Sequence, residues 1–285
     1  MSELDRGLIR PQPSAVAYAS TSKLALITGA SSGIGAAFAR GYAARGFDVA
    51  LVARRRDRLE TLANQLEQQH GVRAFPITAD LSIDEAHIPI LKVLHGEGRH
   101  ADVLVNNAGF GVPRYFTDAP WREQREFLMT LAVAPCAIAY AVIPGMVERR
   151  WGRVINVASI AAFSPGVGAN TLYPGVKSLM VKFSQALDAE YRDKGLKVTA
   201  ICPGSTQSEF AAHAGYQHLV DSRSGPFVQT ADRVAEIAIT ANEAGRVVVI
   251  PGWHNRMAVA IMRLLPERIV RAAINKGAAK YRLKD

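Results

Sequence analysis

Seven short runs of aliphatic and β-branched residues recur along the chain: KLALITG (23 to 29), DVALVAR (48 to 54), RAFPITAD (73 to 80), DVLVNNAG (102 to 109), GRVINVAS (152 to 159), KVTAICPG (197 to 204) and RVVVIPG (246 to 252). Most are nearly continuous in apolar character rather than alternating, which suits strands covered on both faces, and stretches with helical spacing separate them. The pattern predicts one α/β domain over residues 23 to 252, a doubly wound parallel sheet of seven strands with helices on both faces. Residues 1 to 22, with two prolines and no long apolar run, read as a mobile arm. The irregular stretch from Ser205 to Thr230 follows a strand end and carries Phe210, His213, Tyr216, His218 and Phe227, so it reads as a substrate lid. Beyond residue 252, apolar clusters alternate with basic residues and break at Pro266, which predicts two short amphipathic helices in a basic C-terminal extension over 253 to 285.

The longest uncharged run, Phe127 to Val147, has the length to cross a bilayer. It contains Pro135, Pro144 and Gly145, however, and lies between two predicted strands of one sheet, which a membrane would separate. A buried interior or interface helix is expected.

Charge changes the picture only once it is located. Of the net +9, the segment from Arg256 to Asp285 holds +6, eight Lys and Arg against Glu267 and Asp285, so the body is nearly neutral. That distribution argues against a nucleic-acid groove through the core, as does the lack of interleaved aromatic and basic residues, and it marks the C-terminus as an interaction surface. Two readings of the extension stay open: packing on the body or a partner subunit, or peripheral contact with an anionic membrane. The two cysteines, Cys136 and Cys202, are distant and form no CxxC pair, so a reducing, cytoplasmic setting is expected. No metal site is expected.

The candidate chemistry begins at TGASSGIG, Thr28 to Gly35, which closes the first strand and opens a helix. Gly29 lets the chain turn, Gly33 lets the backbone come close to a phosphate, and Gly35 lets the helix pack on the sheet, while free amides at the helix start attract an anion. Ser31, Ser32 and Ile34 complete this candidate cofactor turn. Where a dinucleotide-binding chain that uses NAD carries an acidic residue after its second strand, this one reads ARRRD; Arg54, Arg55 and Arg56 would accept a 2′-phosphate, and NADP(H) is inferred ahead of NAD(H). The arginines could equally solvate the start of a helix. Asp80 and Leu81 end the third strand, where adenine would lie, and Asn106, Asn107 and Ala108 end the fourth; either stretch could also be plain turn chemistry.

In TLYPGVKSL, Tyr173 and Lys177 are four residues apart and so project from one helix face, and Pro174 is acceptable because the first turn leaves its missing N–H without consequence. Val176, Met180, Phe183 and Leu187 continue that helix as an apolar stripe ending near Gly195. A lysine near the positive end of a helix dipole is mildly unfavourable for stability, so another benefit is expected. An ammonium beside the phenol would make its ionisation easier by about 4 kcal/mol, and Tyr173 could then act as general acid or base.

Taken in order, TGASSGIG, NNAG, NVAS, YPGVK and CPG closely resemble the short-chain dehydrogenase/reductase family over roughly Lys23 to Gly252. The resemblance implies a Rossmann-type subunit, a nicotinamide cofactor and hydride exchange with a carbonyl or alcohol carbon of a small molecule. It implies Ser159, Tyr173 and Lys177 as the catalytic set, with Ser159 bonded to the substrate oxygen and Lys177 also to the nicotinamide ribose. It further implies that Pro203 and Gly204 line the nicotinamide pocket, with Thr206 or Ser208 near the carboxamide, and that subunits pair as homodimers or homotetramers through the helices flanking the fifth strand. The chain departs from the family at two points: the usual asparagine before the fifth strand is replaced by Leu131, with Thr130 beside it, and the interval from Ser159 to Tyr173 is about one residue longer than the family's usual run. The expectation is an NADP(H)-dependent carbonyl reductase or alcohol dehydrogenase acting on an apolar molecule; the alternative is a weakly active or non-catalytic binding protein that responds to the nucleotide.

Overall fold

The computed structural model describes residues 22 to 112, 114 to 166, 171 to 207 and 228 to 278. The arm and most of the predicted lid, including its five aromatic and histidine residues and Ser208, lie outside them.

Seven parallel strands form one sheet: β1 (Leu24–Thr28), β2 (Asp48–Ala53), β3 (Ala74–Thr78), β4 (Val103–Asn106), β5 (Gly152–Val157), β6 (Leu196–Ile201) and β9 (Val248–Val249), in the order β3-β2-β1-β4-β5-β6-β9. A separate two-residue parallel pair joins β7 (Thr206–Gln207) to β8 (Gln229–Thr230). The chain order reverses at β1 and β4, which opens a crevice at their C-terminal ends. The continuous apolar runs are explained by two cores, one on each face. Ala25, Ile27, Val49, Leu51, Val103, Val105 and Ile155 face α1 (Gly33–Ala43), α2 (Arg56–His70) and α7 (Ala231–Glu243). Leu24, Leu26, Ala50, Val52, Leu104 and Val154 face α3 (His87–Gly96), α5 (Ala134–Glu148) and α6 (Tyr173–Tyr191).

The exception is β3, whose burial alternates. It is the sheet edge, so Pro76 removes no ladder bond on its open side and half of its side chains meet water. At the other edge only two residues of the predicted 246 to 252 strand pair with the sheet.

The long apolar run becomes α4 (Trp121–Leu128), a π-helical turn (Met129–Val133) and α5, the crossover between β4 and β5. These strands are hydrogen-bonded neighbours, so the helix packs on the sheet they share. Ala134, Ile138, Ala139, Val142 and Met146 are buried, while Val133 and Tyr140 are exposed on the outer side. The stretch Trp121–Glu148 is long and apolar enough to cross a membrane, but its inner face is committed to the core. After β9 come α8 (Trp253–Leu264) and α9 (Glu267–Ala278), the two helices expected on either side of Pro266.

The opposite, N-terminal end of the sheet is closed by ions. Asp48, 5% exposed, accepts 2.5 Å from Arg99 Nη1, 2.6 Å from Ser22 Oγ and 2.8 Å from the Arg73 N–H. Asp102 accepts from the Leu24 N–H at 2.9 Å and lies 3.1 Å from His100 Nε2. Burial alone would raise both carboxyls, yet these hydrogen bonds and the Arg99 and Arg149 charges outweigh it and hold both below the ordinary 3.8. Stability from the two carboxylates is therefore complete above that value and is lost as pH falls through their lower folded values. Removing Arg99 strands a buried carboxylate, so Arg99→Ala should lower the unfolding free energy by about 3–5 kcal/mol at pH 7. Urea denaturation checks it; an unchanged midpoint would show that the pair carries no structural weight.

Candidate active site

The crevice is framed first by a backbone turn. Gly29 and Gly33 have φ of +66° and +54°, in the left-handed region that favours glycine. A Cβ on Gly35 would sit 2.1 Å from the Gly29 carbonyl oxygen, so α1 approaches the turn more closely than any side chain allows. Helix α1 begins with no side-chain cap from Ser32 and no acidic residue in its first turn, which leaves its amides and positive dipole end to an anion.

The neighbouring strand fixes this turn. Thr28 Oγ1 accepts from the Asn107 and Ala108 N–H groups at 3.0 and 3.1 Å, and Asn107 Nδ2 donates to the Thr28 and Gly29 carbonyls at 2.9 and 3.2 Å. Asn107, expected at the cofactor, uses its side chain to brace the cradle. Asn106 likewise points inward: its Nδ2 donates 2.9 Å to Asn156 Oδ1, and Asn156 donates 2.8 Å to Ser184 Oγ in α6. Asn106 is 4% exposed, so its part in the site is to tie the sheet to the helix that carries Tyr173.

The three arginines separate. Arg55 Nη2 lies 3.0 and 3.1 Å from Ser31 Oγ and Ser32 Oγ, directly over the glycine turn. Arg54 is exposed, and its charge helps Ser82, which donates to Asp80 through its N–H and hydroxyl, to overcome burial and keep the Asp80 carboxyl below its ordinary value. Arg56 is engaged with Glu60 one turn along α2 at 2.7 Å, as the plain reading of a solvated helix start expects. Leu81 is buried in the sheet's apolar layer, so its side chain belongs to the core.

Across the crevice, α6 starts at Tyr173 with Pro174 in its first turn. Ser159 ends β5 and caps a short 3-10 turn (Ile160–Phe163), accepting from the Ala161 N–H at 3.2 Å; it also hydrogen-bonds the Tyr173 hydroxyl. The serine thus caps this turn and at the same time stands beside the Tyr173 hydroxyl. Lys177 is 6% exposed, donates 2.8 Å to the Val157 carbonyl, and places Nζ 5.6 Å from the centre of the Tyr173 ring.

One expectation is corrected here. Lys177 was expected to ease ionisation of the phenol, but burial pushes Tyr173 up to about 12 and only the Ser159 bond opposes the rise. The physical reason is burial, which penalises the phenolate, while the Lys177 ammonium makes its hydrogen bond to a backbone oxygen rather than to the phenol. Burial also lowers Lys177 to about 8, against a small opposing contribution from Cys202, whose own thiol burial raises to about 12. At neutral pH the phenol is thus protonated, able to donate rather than to accept.

Tyr173 borders an apolar floor of Val112, Phe127, Leu131 and Val176. Leu131, in place of the family's asparagine, is 2% exposed and packs on Gly109. The π-helical turn brings it there. On the far wall Pro203 O accepts from the Ile160 N–H at 3.0 Å, Gly204 abuts Asn255 of α8, and Thr206 Oγ1 donates to the Gly204 carbonyl at 3.2 Å. Among the described residues no cluster could hold a metal ion. Sequence reasoning missed Thr28, Asn156 and the Val157 carbonyl; a threonine at a strand end reads as β-propensity, and a backbone acceptor has no residue signature.

Comparison with known proteins agrees with this geometry. The family model described as short chain dehydrogenase matches residues 23 to 218. A short chain dehydrogenase of Pseudocercospora fijiensis is 32% identical over 261 residues, covering 86% of this chain and 83% of that protein. A very-long-chain 3-oxoacyl-CoA reductase of Anas platyrhynchos is 35% identical over 183 residues, 63% of this chain and 58% of its own length. Among solved structures, a short-chain dehydrogenase from Sphingobium yanoikuyae in complex with NADPH has a TM-score of 0.74 and 29% identity, covering 86% of this chain and 97% of that one. With two thirds of its length matched by the family model, the chain belongs to the short-chain dehydrogenase/reductase family, oxidoreductases that act on a small-molecule carbonyl or alcohol with a nicotinamide cofactor.

Proposed function

We propose that this protein is an NADP(H)-dependent carbonyl reductase of apolar ketones or aldehydes. The observation that carries the reading is the pairing of a protonated, half-buried Tyr173, hydrogen-bonded to Ser159, with a glycine cradle overhung by Arg55. The bound dinucleotide would supply the hydride. Its phosphates suit the free amides of α1, the 2′-phosphate suits Arg55 with Arg54 nearby, and Lys177 would reach the ribose once its bond to Val157 is shared. Ser159 would hold the substrate oxygen, and Tyr173 would deliver a proton to it as negative charge develops. At neutral pH the phenol holds its proton, so it has one to deliver when a carbonyl is reduced. The apolar floor around Leu131 and the long acyl chains named for the Anas relative both support a hydrophobic substrate. Pairing of subunits as a homodimer or homotetramer, in the cytoplasm, completes the proposal; exposed Val133 just before α5, Tyr140 on α5 and Leu179 on α6 support such an interface.

The buried Leu131 motivates a second reading, a nucleotide-binding protein with little turnover. NADPH oxidation over a panel of ketones and aldehydes separates the two. Turnover is expected, and Tyr173→Phe should reduce kcat by about 100-fold or more while leaving NADPH binding within about threefold. Equal rates in the variant would refute the acid role, and tight NADPH binding with no turnover on any substrate would favour the second reading. The cofactor preference is tested separately: Arg55→Glu should weaken NADPH relative to NADH by about 10- to 100-fold, the value of a charged hydrogen-bonding partner. A preference that does not move would reassign the arginine to supporting the turn.

A further inference from the structure

Helix α8 is apolar on two opposite faces, and the protein body covers only one of them. Asn255 and Val259, one turn apart, are buried at 5% and 3%, and Asn255 Nδ2 donates 2.8 Å to the Pro251 carbonyl. Met257, Ile261 and Leu264, at i, i+4 and i+7, point the other way and are 53%, 48% and 83% exposed. Leu265 and Ile269, on either side of Pro266, are exposed as well, at 43% and 54%. A row of five large apolar side chains in water needs a compensating partner.

Charge identifies the partner. Arg256, Arg263, Arg268 and Arg271 are all exposed around the ridge, and Glu267, which is bonded to Arg271, is the one acidic residue among the described residues of α8 and α9. The chain from Arg256 onward carries +6 of the net +9. A second copy docking through this face would place that charge against itself, since a two-fold interface meets its own image. An apolar ridge edged by cations matches instead a surface with hydrocarbon below and anions above.

We infer that α8 and α9 dock the protein on anionic lipid bilayers, with Met257, Ile261, Leu264, Leu265 and Ile269 inserted at the headgroup boundary and Arg256 and Arg268 on lipid phosphates. Docking there sets the catalytic crevice close to the lipid. Helix α8 leans on the turn that follows Ser159, with the Arg263 guanidinium 4.9 Å from the centre of the Phe163 ring, and its Asn255 backs Gly204. An apolar substrate dissolved in the bilayer would then have a short path to Tyr173. That last point rests on the proposed substrate class; docking itself does not.

Co-sedimentation of the full chain with vesicles tests it without reference to catalysis. Vesicles of phosphatidylcholine with phosphatidylglycerol should bind the protein at least about tenfold more tightly than pure phosphatidylcholine, and raising the salt to about 1 M should release it. The double variant Met257→Glu and Leu264→Glu should lose about tenfold or more of that binding, with circular dichroism and NADPH binding unchanged because both side chains face solvent. Charge reversal at Arg256 and Arg268 should do the same. Partitioning that is absent, or that these variants leave intact, overturns the inference. So does light scattering that shows the ridge buried in a dimer which Leu264→Glu dissociates, or an acidic protein partner that binds the ridge while anionic vesicles do not.

Discussion

The site depends on one constraint, the fastening of α6 to the strand in front of it. Lys177 reaches back to the Val157 carbonyl, and nearby Asn156 reaches forward to Ser184, so strand and helix hold each other at two adjacent points inside the core. Each bond is buried, where a lost partner costs more than the bond contributes in water. Tyr173, one turn before Lys177, inherits its position from this fastening. Ser159, two residues beyond Val157, meets it from the strand side.

The same logic holds across the crevice. Asn107 and Thr28 lock the glycine turn to β4, so the cradle is set by side chains that do not themselves face the crevice. Asn106 and Asn156 connect the two systems beneath the sheet's C-terminal edge. The polar groups thus form one braced frame, and the apolar floor of Phe127, Leu131 and Val176 fills the space between its members.

Much of this was legible in the chain itself. Continuous apolar runs required a sheet covered on both faces, and the ordered motifs placed the glycine turn, Ser159 and the Tyr173 helix correctly. Pro76 did not disturb the third strand because that strand is an edge, a fact that only the sheet order reveals. What the sequence could not convey was direction. Asn107 was read as a ligand contact because the motif lies at a strand end, yet its amide turns towards its own backbone. A shared helix face points Lys177 at its phenolic neighbour, yet the Val157 carbonyl of β5 takes its hydrogen bond. Spacing along a helix fixes which groups are near; it does not fix which of several acceptors wins.

The small β7 and β8 pair carries a consequence for how such an enzyme can change. Thr206–Gln207 and Gln229–Thr230 lie side by side and parallel, so the two ends of the interval between them are fastened to each other at a single root. Gln229 N–H bonds to the Ser205 carbonyl at 3.1 Å and reinforces that root. Whatever length or composition fills the interval, its two ends stay in register with the wall that bears Gly204, and the closure entropy grows only slowly with added residues. A change in that interval therefore meets a fixed stem, while Tyr173 and the glycine turn, which sit on other elements, keep their places.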